Sequence, residues 1–343
     1  LYAVDPISGK VKWTYKVSNP LMSAPIVYGN LVIAGEGNEM SPTGSSPSHP
    51  IHVGTPPSAL IAVDRITGRV VWRRDLQGSG MPMPAIVDGV LVQHNGGSYL
   101  MGLDPATGSV RYAINEHSFA SMSAAQPVGG GTFTSTGVDA NAVFLFRARD
   151  GSTVWTYPLS GNGSGMGDCP SVTDGRRIYC NYMMPPSTAV PMQSERSAIM
   201  HAYAIDVGSG KRSWDVVLEG GVIPIRNESA IPLLARGSLI MGSNLSPYVH
   251  SLDPSNGSTR WRFRAHGPVR GGIVESNGVL YFGDYAGYLW AVNADNGASI
   301  GRRRMHVPFN VGSPIIAGQT LIIGAKNGTL FAEPLSYIRS GRD

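Results

Sequence analysis

The stretch 60-LIAVDRITGRVVW-72 carries the pattern on which the chain is built. Alternating apolar residues lead to Asp64, a Thr-Gly pair follows at 67–68, and a second alternating run contains Trp72. Alternation over so few residues predicts two short strands. The Asp can accept N–H groups of its own turn, and the Gly supplies a left-handed conformation. The stretch therefore predicts a β-hairpin.

The same phrase recurs along the chain. Clear copies are 1-LYAVDPISGKVKW-13, 203-YAIDVGSGKRSW-214 and 251-SLDPSNGSTRW-261; looser copies are 101-MGLDPATGSVRY-112, 144-FLFRARDGSTVW-155 and 290-WAVNADNGASI-300. Arg147 occupies one Asp position. The residues that carry the repeat are Asp5, Trp13, Asp64, Trp72, Asp104, Trp155, Asp206, Trp214, Asp253 and Trp261. Recurrence on this scale predicts a repeat protein.

A second hairpin lies between successive copies. It is clearest at 25-PIVYGNLVIAG-35, 85-AIVDGVLVQHN-95, 273-IVESNGVLYFGD-284 and 314-PIIAGQTLIIGA-325. Each repeat is therefore four strands, A and B from this hairpin and C and D from the Asp-Gly-Trp phrase. Four-stranded antiparallel units of about 40–50 residues are typical of β-propeller blades. We expect an all-β fold, a β-propeller.

The blade count follows from the chain order. The chain opens at a C strand and closes near another at 329–335, which either is surplus or takes the C place of the last blade. Seven blades are favoured; eight would need an A–B hairpin upstream of Leu1, from a missing N-terminal segment. The repeat runs through residues 1–343 without a linker, so we expect a single domain.

Composition limits the function classes. The chain has 343 residues, 44 Gly and 25 Pro, with 42% hydrophobic and 15% charged residues. Such Gly and Pro usage argues against long helices, and no apolar run approaches the roughly 20 residues of a membrane span. The net charge of +4 is scattered. We expect neither nucleic-acid binding nor a transmembrane segment.

Two long insertions indicate where recognition occurs. Antiparallel blades place D-to-A links and B-to-C loops at one end and the short A–B and C–D turns at the other. The insertions, 36–59 and 181–198, both fall in B-to-C loops. Loops on a rigid scaffold commonly carry recognition, the alternative being surface decoration. The predicted partner-binding residues are Met40, His49, His52, Tyr182, Met183 and Met184.

The D-to-A links should line the mouth of a central channel. Four links carry Met, and the others carry polar groups. The candidate ligand-binding residues are Met22, Met81, Met83, Met122, Met166, Asp168, Arg226, Glu228, Arg270 and Asn310. Met adapts to apolar partners and Arg holds carboxylates, so this mouth suits an anionic or amphipathic ligand. Alternatively, the Met residues fill gaps between blades and the Arg residues are solvated.

The two cysteines, Cys169 and Cys180, flank the predicted A–B turn near residues 174–176. Residues opposite each other in a hairpin are within disulfide range. A bridge would indicate an oxidising compartment, whether periplasmic, cell-surface or secreted; two reduced core cysteines are the alternative. We expect an extracytoplasmic protein.

The Ala-x-Asp-x-x-Thr-Gly-x-x-x-Trp phrase resembles the repeat of the quinoprotein-type (PQQ-like) β-propeller family, over essentially the whole chain. That family includes a barrel-assembly lipoprotein of bacterial outer membranes and quinoprotein dehydrogenases. The resemblance implies that each strand D Trp packs on the turn of the adjoining blade. Tyr112 and Gly301 depart from the Trp, so we expect those two joints to pack differently.

The resemblance leaves two functions open. The sequence contains no catalytic motif such as G-x-S-x-G or H-E-x-x-H, and no adjacent cysteine pair that would cover a quinone. This favours a non-catalytic exported propeller that binds or scaffolds envelope proteins or an amphipathic ligand, without a cofactor or metal. The alternative is a PQQ- and Ca²⁺-dependent oxidoreductase acting on alcohols or sugars. In it, Arg226, Glu228, Asn310 and Asp168 would hold the cofactor.

Overall fold

The computed structural model describes residues 1–21, 23–37, 57–80, 82–97, 99–116, 124–137, 142–159, 171–184, 196–223 and 230–342. The chain divides into two compact units. The first is Leu1–Val4, Val11–Ser160 and Met166–Asp168, and the second is Asp5–Lys10, Gly161–Gly165 and Cys169–Asp343. Each unit is described by itself, and the predicted single domain stays a prediction.

The first unit consists of antiparallel sheets in chain order. Its strands are β1 (Tyr2–Val4), β2 (Val11–Thr14), β3 (Ile26–Tyr28), β4 (Leu31–Glu36), β5 (Ser58–Asp64), β6 (Val70–Leu76), β7 (Ala85–Val87), β8 (Val90–His94), β9 (Tyr99–Leu103), β10 (Val110–Asn115), β11 (Gln126–Gly129), β12 (Thr132–Gly137), β13 (Ala142–Arg147) and β14 (Thr153–Pro158). β1 and β2 form a two-stranded sheet, and each following set of four consecutive strands forms one sheet.

The second unit repeats the arrangement. Its strands are β15 (Val172–Thr173), β16 (Arg177–Met184), β17 (Arg196–Asp206), β18 (Arg212–Ile223), β19 (Leu233–Ala235), β20 (Ser238–Met241), β21 (Tyr248–Leu252), β22 (Thr259–Arg264), β23 (Val274–Ser276), β24 (Val279–Gly283), β25 (Tyr288–Asn293), β26 (Ser299–Arg304), β27 (Ile315–Ala317), β28 (Thr320–Gly324) and β29 (Leu330–Pro334), followed by helix α1 (Leu335–Ser340). Three four-stranded sheets precede a three-stranded sheet, β27–β29.

These sheets are propeller blades, and the all-β prediction is confirmed. Strand A is the shortest and C follows B, as the alternating pattern predicts. The core lies between neighbouring sheets: Ile33 and Leu60 of one sheet pack with Leu91 of the next. In the second unit, Phe263 packs with Phe282 in the same way. Among the described residues no helix is long and apolar enough to cross a membrane.

The turn chemistry of the repeat also takes its predicted form. Asp64 Oδ1 accepts the backbone N–H groups of Ile66 (3.0 Å) and Thr67 (2.7 Å) and the Thr67 hydroxyl (2.8 Å). Gly68 has a φ of 70°, which favours glycine. The hydrogen bonds hold the pKa of the Asp64 carboxyl below its usual range, the Thr67 amide bond contributing most. Asp150 takes over where Arg147 replaces the repeat Asp: it accepts Ser152 N (3.0 Å) and Oγ (2.7 Å).

Each joint between blades centres on the strand D aromatic. Trp72 Nε1 donates to Pro105 O (3.1 Å), and Trp214 Nε1 donates to Pro254 O (2.9 Å). Each acceptor is the residue after the repeat Asp of the next sheet. The indole covers the turn Gly, since a Cβ on Gly108 would lie 2.6 Å from the Trp72 ring. The joint implied by the family resemblance is therefore present in both units.

The prediction that Tyr112 packs differently is wrong. Its hydroxyl donates to Ala148 O (2.9 Å), the residue after the repeat position Arg147, as each indole does. Its ring also lies against Gly151. Tyr substitutes for Trp because both offer a flat ring with a donor at its far end.

Gly301 does depart from the pattern. A Cβ there would lie 2.3 Å from Arg339 O and 2.5 Å from Ile338 O, so the backbone of α1 rests directly on β26. Leu335 and Ile338 bury their side chains beneath the helix. Absence of the indole thus makes room for α1.

β29 takes the C place of the last sheet, which the sequence left open. It pairs with β28 from Thr320↔Pro334 to Gly324↔Leu330. The count of seven blades stays a prediction.

Candidate functional site

Hydrogen bonds place the D-to-A links and B-to-C loops at one end of each blade. The first B-to-C residues donate backbone N–H groups to link carbonyls: Tyr285 to Pro268 (2.9 Å) and Lys326 to Pro308 (2.9 Å). The other end holds the short turns, where Ala294 N donates to Gly278 O (2.9 Å). The predicted assignment of the two ends is therefore confirmed for these blades.

This bonding pattern makes Arg270 and Asn310 equivalent positions. Each stands two residues after the link carbonyl that accepts the loop amide, Pro268 or Pro308. Their links also touch, because a Cβ on Gly271 would lie 2.8 Å from Asn310 O. The structure thus brings together the two link residues of the predicted mouth that it describes in the second unit.

Two B-to-C residues join them in what we call the loop-end cluster: Arg270, Tyr285, Asn310 and Lys326. Lys326 Nζ donates to Tyr285 Oη at 2.7 Å and lies 5.1 Å from the ring centroid. Arg270 Cζ lies 5.7 Å from the same centroid. Two cations thus converge on one aromatic ring, a favourable arrangement for the ring quadrupole.

Charge and burial differ across the loop-end cluster. Arg270 is 8% exposed, whereas Lys326 is exposed. The Lys326 hydrogen bond lowers the pKa of the Tyr285 hydroxyl, with smaller contributions from the charges of Lys326 and Arg270. Asn310 Oδ1 is buried, and no donor from the described residues reaches it. The cluster offers positive charge and amide chemistry suited to a carboxylate or another oxyanion.

A buried carboxylate fixes the backbone under the loop-end cluster. Asp284 is fully buried and accepts the backbone N–H groups of His266 (3.1 Å) and Tyr288 (2.9 Å). It also accepts the Trp290 indole N–H (2.8 Å). Since its bonds tie the link to the loop, Tyr285 and Arg270 are held at a fixed separation. Asp284 thus has a structural role.

Most other predicted site residues lie outside the described residues. These are Met22, Met40, His49, His52, Met81, Met122, Met166, Asp168, Arg226 and Glu228. Met83 is described, half-buried in the link between β6 and β7, where its carbonyl accepts Ala125 N (3.1 Å). The predicted Met-lined side of the mouth therefore stays a prediction.

The predicted loop position of Tyr182, Met183 and Met184 is wrong. All three belong to β16, because its pairing with β17 continues to Met184↔Ile199. Tyr182 is 4% exposed and Met183 1% exposed. The Tyr182 hydroxyl donates to Asp215 (3.0 Å) and its ring stacks on His201. Tyr182 and Met183 are thus interior residues, and the insertion is shorter than 181–198.

The 36–59 insertion is also bounded more tightly than predicted, since β4 ends at Glu36 and β5 begins at Ser58. The predicted disulfide is not shown. Cys180 is buried in β16 with a free thiol, and Cys169 lies outside the described residues.

Of the four residues predicted to hold PQQ and Ca²⁺ in the alternative function, only Asn310 lies among the described residues. The described neighbours of Asn310 in the loop-end cluster are the cations Arg270 and Lys326, and no group of three or more His, Cys, Asp or Glu among the described residues could hold a metal. The cofactor alternative stays a prediction.

Sequence reasoning found Arg270 and Asn310 but missed Tyr285 and Lys326. The signal available in the sequence was position: 283-GDY-285 and 324-GAK-326 each begin with the Gly that ends a B strand. Aligning the B-to-C loops of successive repeats would have placed both residues beside the links.

Comparison with known proteins supports the fold and gives a family. The chain is 22% identical to tetrathionate hydrolase of Acidithiobacillus ferrooxidans over 99% of this chain and 70% of that protein. It is 22% identical to outer membrane protein assembly factor BamB of Yersinia pestis over 96% of this chain and 78% of that protein. The crystal structure of BamB from Moraxella catarrhalis superposes with a TM-score of 0.66 at 15% identity, covering 94% of this chain and 88% of that chain.

A family model described as outer membrane protein assembly factor BamB matches residues 36–175 and 200–333, well over half of the chain. The match spans the repeats that form the sheets β5–β14 and β18–β28 and the loop-end cluster. The chain therefore belongs to the BamB family of PQQ-like repeat proteins.

Proposed function

We propose that this protein is a non-catalytic scaffold of the cell envelope whose loop-end cluster binds an acidic, extended segment of a partner protein. The observation that carries the proposal is the convergence of Arg270 and Lys326 on Tyr285, at the blade end where links and loops meet. Tyr and Arg are the residues that most often dominate binding energy at protein interfaces. The family description, an outer membrane protein assembly factor, supports protein binding as the class of function.

The electrostatics favour an acidic partner. Lys326 has no carboxylate within 4.0 Å among the described residues. Asp284, next in the chain to Tyr285, directs its oxygens to backbone N–H groups and an indole. A partner Asp or Glu would therefore be the counter-charge of Lys326. The exported location belongs to the same proposal and rests on the family description.

Fluorescence anisotropy with two labelled peptides tests the proposal. Both are twelve-residue peptides of alternating Thr and Val; one carries two Glu and the other Gln at the same positions. We expect the Glu peptide to bind at least about tenfold more tightly, since a charge-assisted hydrogen bond contributes about 1.5–3 kcal/mol. Equal affinity for both peptides would refute recognition of carboxylates.

Variants separate the loop-end cluster from general surface charge. Arg270→Ala should weaken the Glu peptide by about tenfold or more because Arg270 is buried, and Lys326→Ala by under about 1 kcal/mol because Lys326 is exposed. Arg236→Ala is the matched control: Arg236 belongs to the same unit but lies in an A–B turn, paired with Asp295 (2.7 Å). Equal losses from Arg236→Ala and Arg270→Ala would contradict the assignment.

A second candidate function is hydrolysis of a small sulfur oxyanion. It is favoured by similarity to tetrathionate hydrolase across 99% of the chain, together with the positive charge of the loop-end cluster. Incubation with tetrathionate and assay of thiosulfate and sulfate would distinguish it. Turnover lost in Arg270→Ala would replace the scaffold proposal, and absence of turnover would leave the scaffold as the function.

A further inference from the structure

A second charged site lies among the short turns of the first unit. A cleft of about 260 Å³, which we call the turn cleft, is lined by Asp88, Val90, Gly130, Gly131, Arg147 and Arg149. These residues come from the A–B turns of two neighbouring sheets and from the C–D turn of the second. The volume suits a small ion rather than a drug-sized molecule.

The turn cleft forms where one repeat differs from another at two turn positions. In the sheet β3–β6, Asn30 of the A–B turn donates its side-chain amide to the repeat Asp64. In the sheet β11–β14, glycine stands at the Asn30 position and arginine at the Asp64 position, namely Gly131 and Arg147. With glycine there, the Asp88 carboxylate of the neighbouring sheet lies beside the turn, and the exchange reverses the charge of the repeat position.

Two arginines, Arg147 and Arg149, line this space. Arg147 Nη1 donates to Ser152 Oγ at 3.3 Å, and no carboxylate among the described residues lies within 4.0 Å of it. Arg149 uses Nε to bind Asp150 Oδ2 at 3.0 Å. Asp150 does not line the turn cleft, and hydrogen bonds from Ser152, with Arg149, lower its pKa to about 2. An oxyanion would match the two arginines.

The glycine turn adds a backbone surface for an anion. Gly130 and Gly131 both have positive φ, 56° and 70°. Glycine has no side chain, so a ligand can approach the backbone of this turn closely. The turn cleft is therefore accessible on its glycine side.

Asp88 restricts which anion fits. Its carboxylate is adjacent to Gly131, since a Cβ there would lie 2.8 Å from Asp88 Oδ2. A carboxylate repels a bare anion but accepts a hydrogen bond from an O–H group. Inorganic hydrogenphosphate offers acceptor oxygens for the arginines and keeps an O–H for the Asp at neutral pH, whereas a phosphate monoester loses its last proton above about pH 6. Sulfate has the same shape and no such proton.

We propose that the turn cleft binds inorganic hydrogenphosphate, with Arg147 and Arg149 holding its oxygens and Asp88 accepting a hydrogen bond from its O–H group. This site is independent of the proposed scaffold function, because it uses other residues and a different ligand. A phosphate monoester has lost that O–H proton at neutral pH, and the experiment below includes one for contrast.

Isothermal titration calorimetry with sodium phosphate, glycerol phosphate and sodium sulfate at matched ionic strength and pH 7 tests the site. We expect phosphate to bind at least about fivefold more tightly than sulfate. Arg147→Ala should weaken phosphate about tenfold. Arg69→Ala, an exposed arginine in the corresponding turn of the sheet β3–β6, should leave binding unchanged. Glycerol phosphate, whose phosphate group has lost its last proton at pH 7, should bind more weakly than inorganic phosphate.

Asp88→Asn distinguishes the proposed site from a generally basic surface, because only the proposed site predicts that this substitution removes the preference for phosphate over sulfate. Loss of the negative charge should abolish the preference, raising the affinity for sulfate to at least that for phosphate. Three results would overturn the proposal: no phosphate binding by the unmodified protein at about 10 mM, which would mean an affinity weaker than the millimolar range; unchanged binding in folded Arg147→Ala; or a preference for phosphate that survives Asp88→Asn.

Discussion

Single residues set the charge of the loop-end cluster. Lys326 donates to the Tyr285 hydroxyl. The equivalent loop amides in the first unit belong to Gly37 and Gly96, which carry no charged side chain. The sequence predicted Arg270 and Asn310 because link residues can be counted from each strand A. It missed Tyr285 and Lys326, because finding them requires alignment of the B-to-C loops of successive repeats as well as of the links.

The acidity of Tyr285 is a direct measure of this contact. Its pKa is lowered mainly by the Lys326 hydrogen bond, whereas burial raises the pKa of Tyr112 to about 12. In a spectrophotometric titration at 295 nm, we expect Tyr285→Phe to remove the phenol that ionises first. Lys326→Met should shift that phenol to higher pH. A titration curve with an unchanged early phase in Lys326→Met would contradict the contact.

The repeat carboxylates give stability a pH dependence of definite sign. Hydrogen bonds from Ser255, and then Arg260, lower the pKa of Asp253 to about 2 in the folded protein. An unfolded Asp has a pKa of about 3.9. Because the folded pKa is the lower one, the carboxylate stabilises the fold above about pH 4, and this contribution is lost as the pH falls toward 2.

Asp253→Asn tests this dependence. Asn293 occupies the equivalent position naturally and accepts the backbone N–H groups of Asp295 (2.9 Å) and Asn296 (3.1 Å), so an amide preserves the turn. In urea unfolding, we expect the unmodified protein to be the more stable at pH 7 and the difference to shrink between pH 4 and pH 2. Asn293→Asp should be more stable than the unmodified protein at pH 7, and this gain should shrink between pH 4 and pH 2. A difference that does not depend on pH would exclude the carboxylate as the cause.

At the scale of elements, the strand D aromatic is the feature that the sequence predicted best. Its ring covers a glycine and its N–H or O–H donates to a carbonyl of the next turn, as for Trp261 and Ala294 (3.2 Å). The prediction for Tyr112 was wrong because it compared residue types, whereas Tyr and Trp both provide a flat ring with a donor at its far end. The resting place of α1 could not be predicted, because a short helix has little periodicity and depends on the space left by Gly301.

Restoring the repeat at Gly301 should therefore harm the protein. In Gly301→Trp, the new side chain would occupy the space of the Arg339 and Ile338 carbonyls. We expect the variant to unfold at a lower temperature. We also expect α1 to become accessible to trypsin at Arg339, which rests on β26 in the unmodified protein. Gly318→Ala, with a positive φ of 61° and no atom near the new Cβ, is the control for backbone strain alone. An α1 equally protected in Gly301→Trp would show that the helix does not need the glycine.

For the whole molecule, the sequence predicted the strand order and the blade ends. The hydrophobic alternation determines which residues face a neighbouring sheet, so the blades followed directly. The extents of the insertions were less predictable, because β16, β17 and β18 continue pairing beyond the repeat pattern, to Arg196↔Ile223. The sequence predicts a loop in place of these strand extensions, because Pro- and Ser-rich segments flank them.

The cysteines connect the fold with the proposed compartment. Cys180 is fully buried, and its predicted partner Cys169 precedes β15 in the chain. If the bridge forms on export, protein purified from its native compartment should show no thiol after unfolding without reductant and two after reduction. Cys180→Ser should then release one thiol. Two thiols in the unfolded, unreduced protein would remove the cysteines as support for an extracytoplasmic location.

Photo-crosslinking in the native cell is the measurement that tests the central claim most directly. A photoreactive residue replaces Asn327, exposed beside Lys326, or Asn256, exposed in a C–D turn of the same unit. The account predicts a discrete protein adduct from position 327, absent from position 256 and lost when Arg270→Ala and Lys326→Ala are combined with the label at 327. The same adduct from position 256, or an adduct at 327 that persists without Arg270 and Lys326, would contradict it.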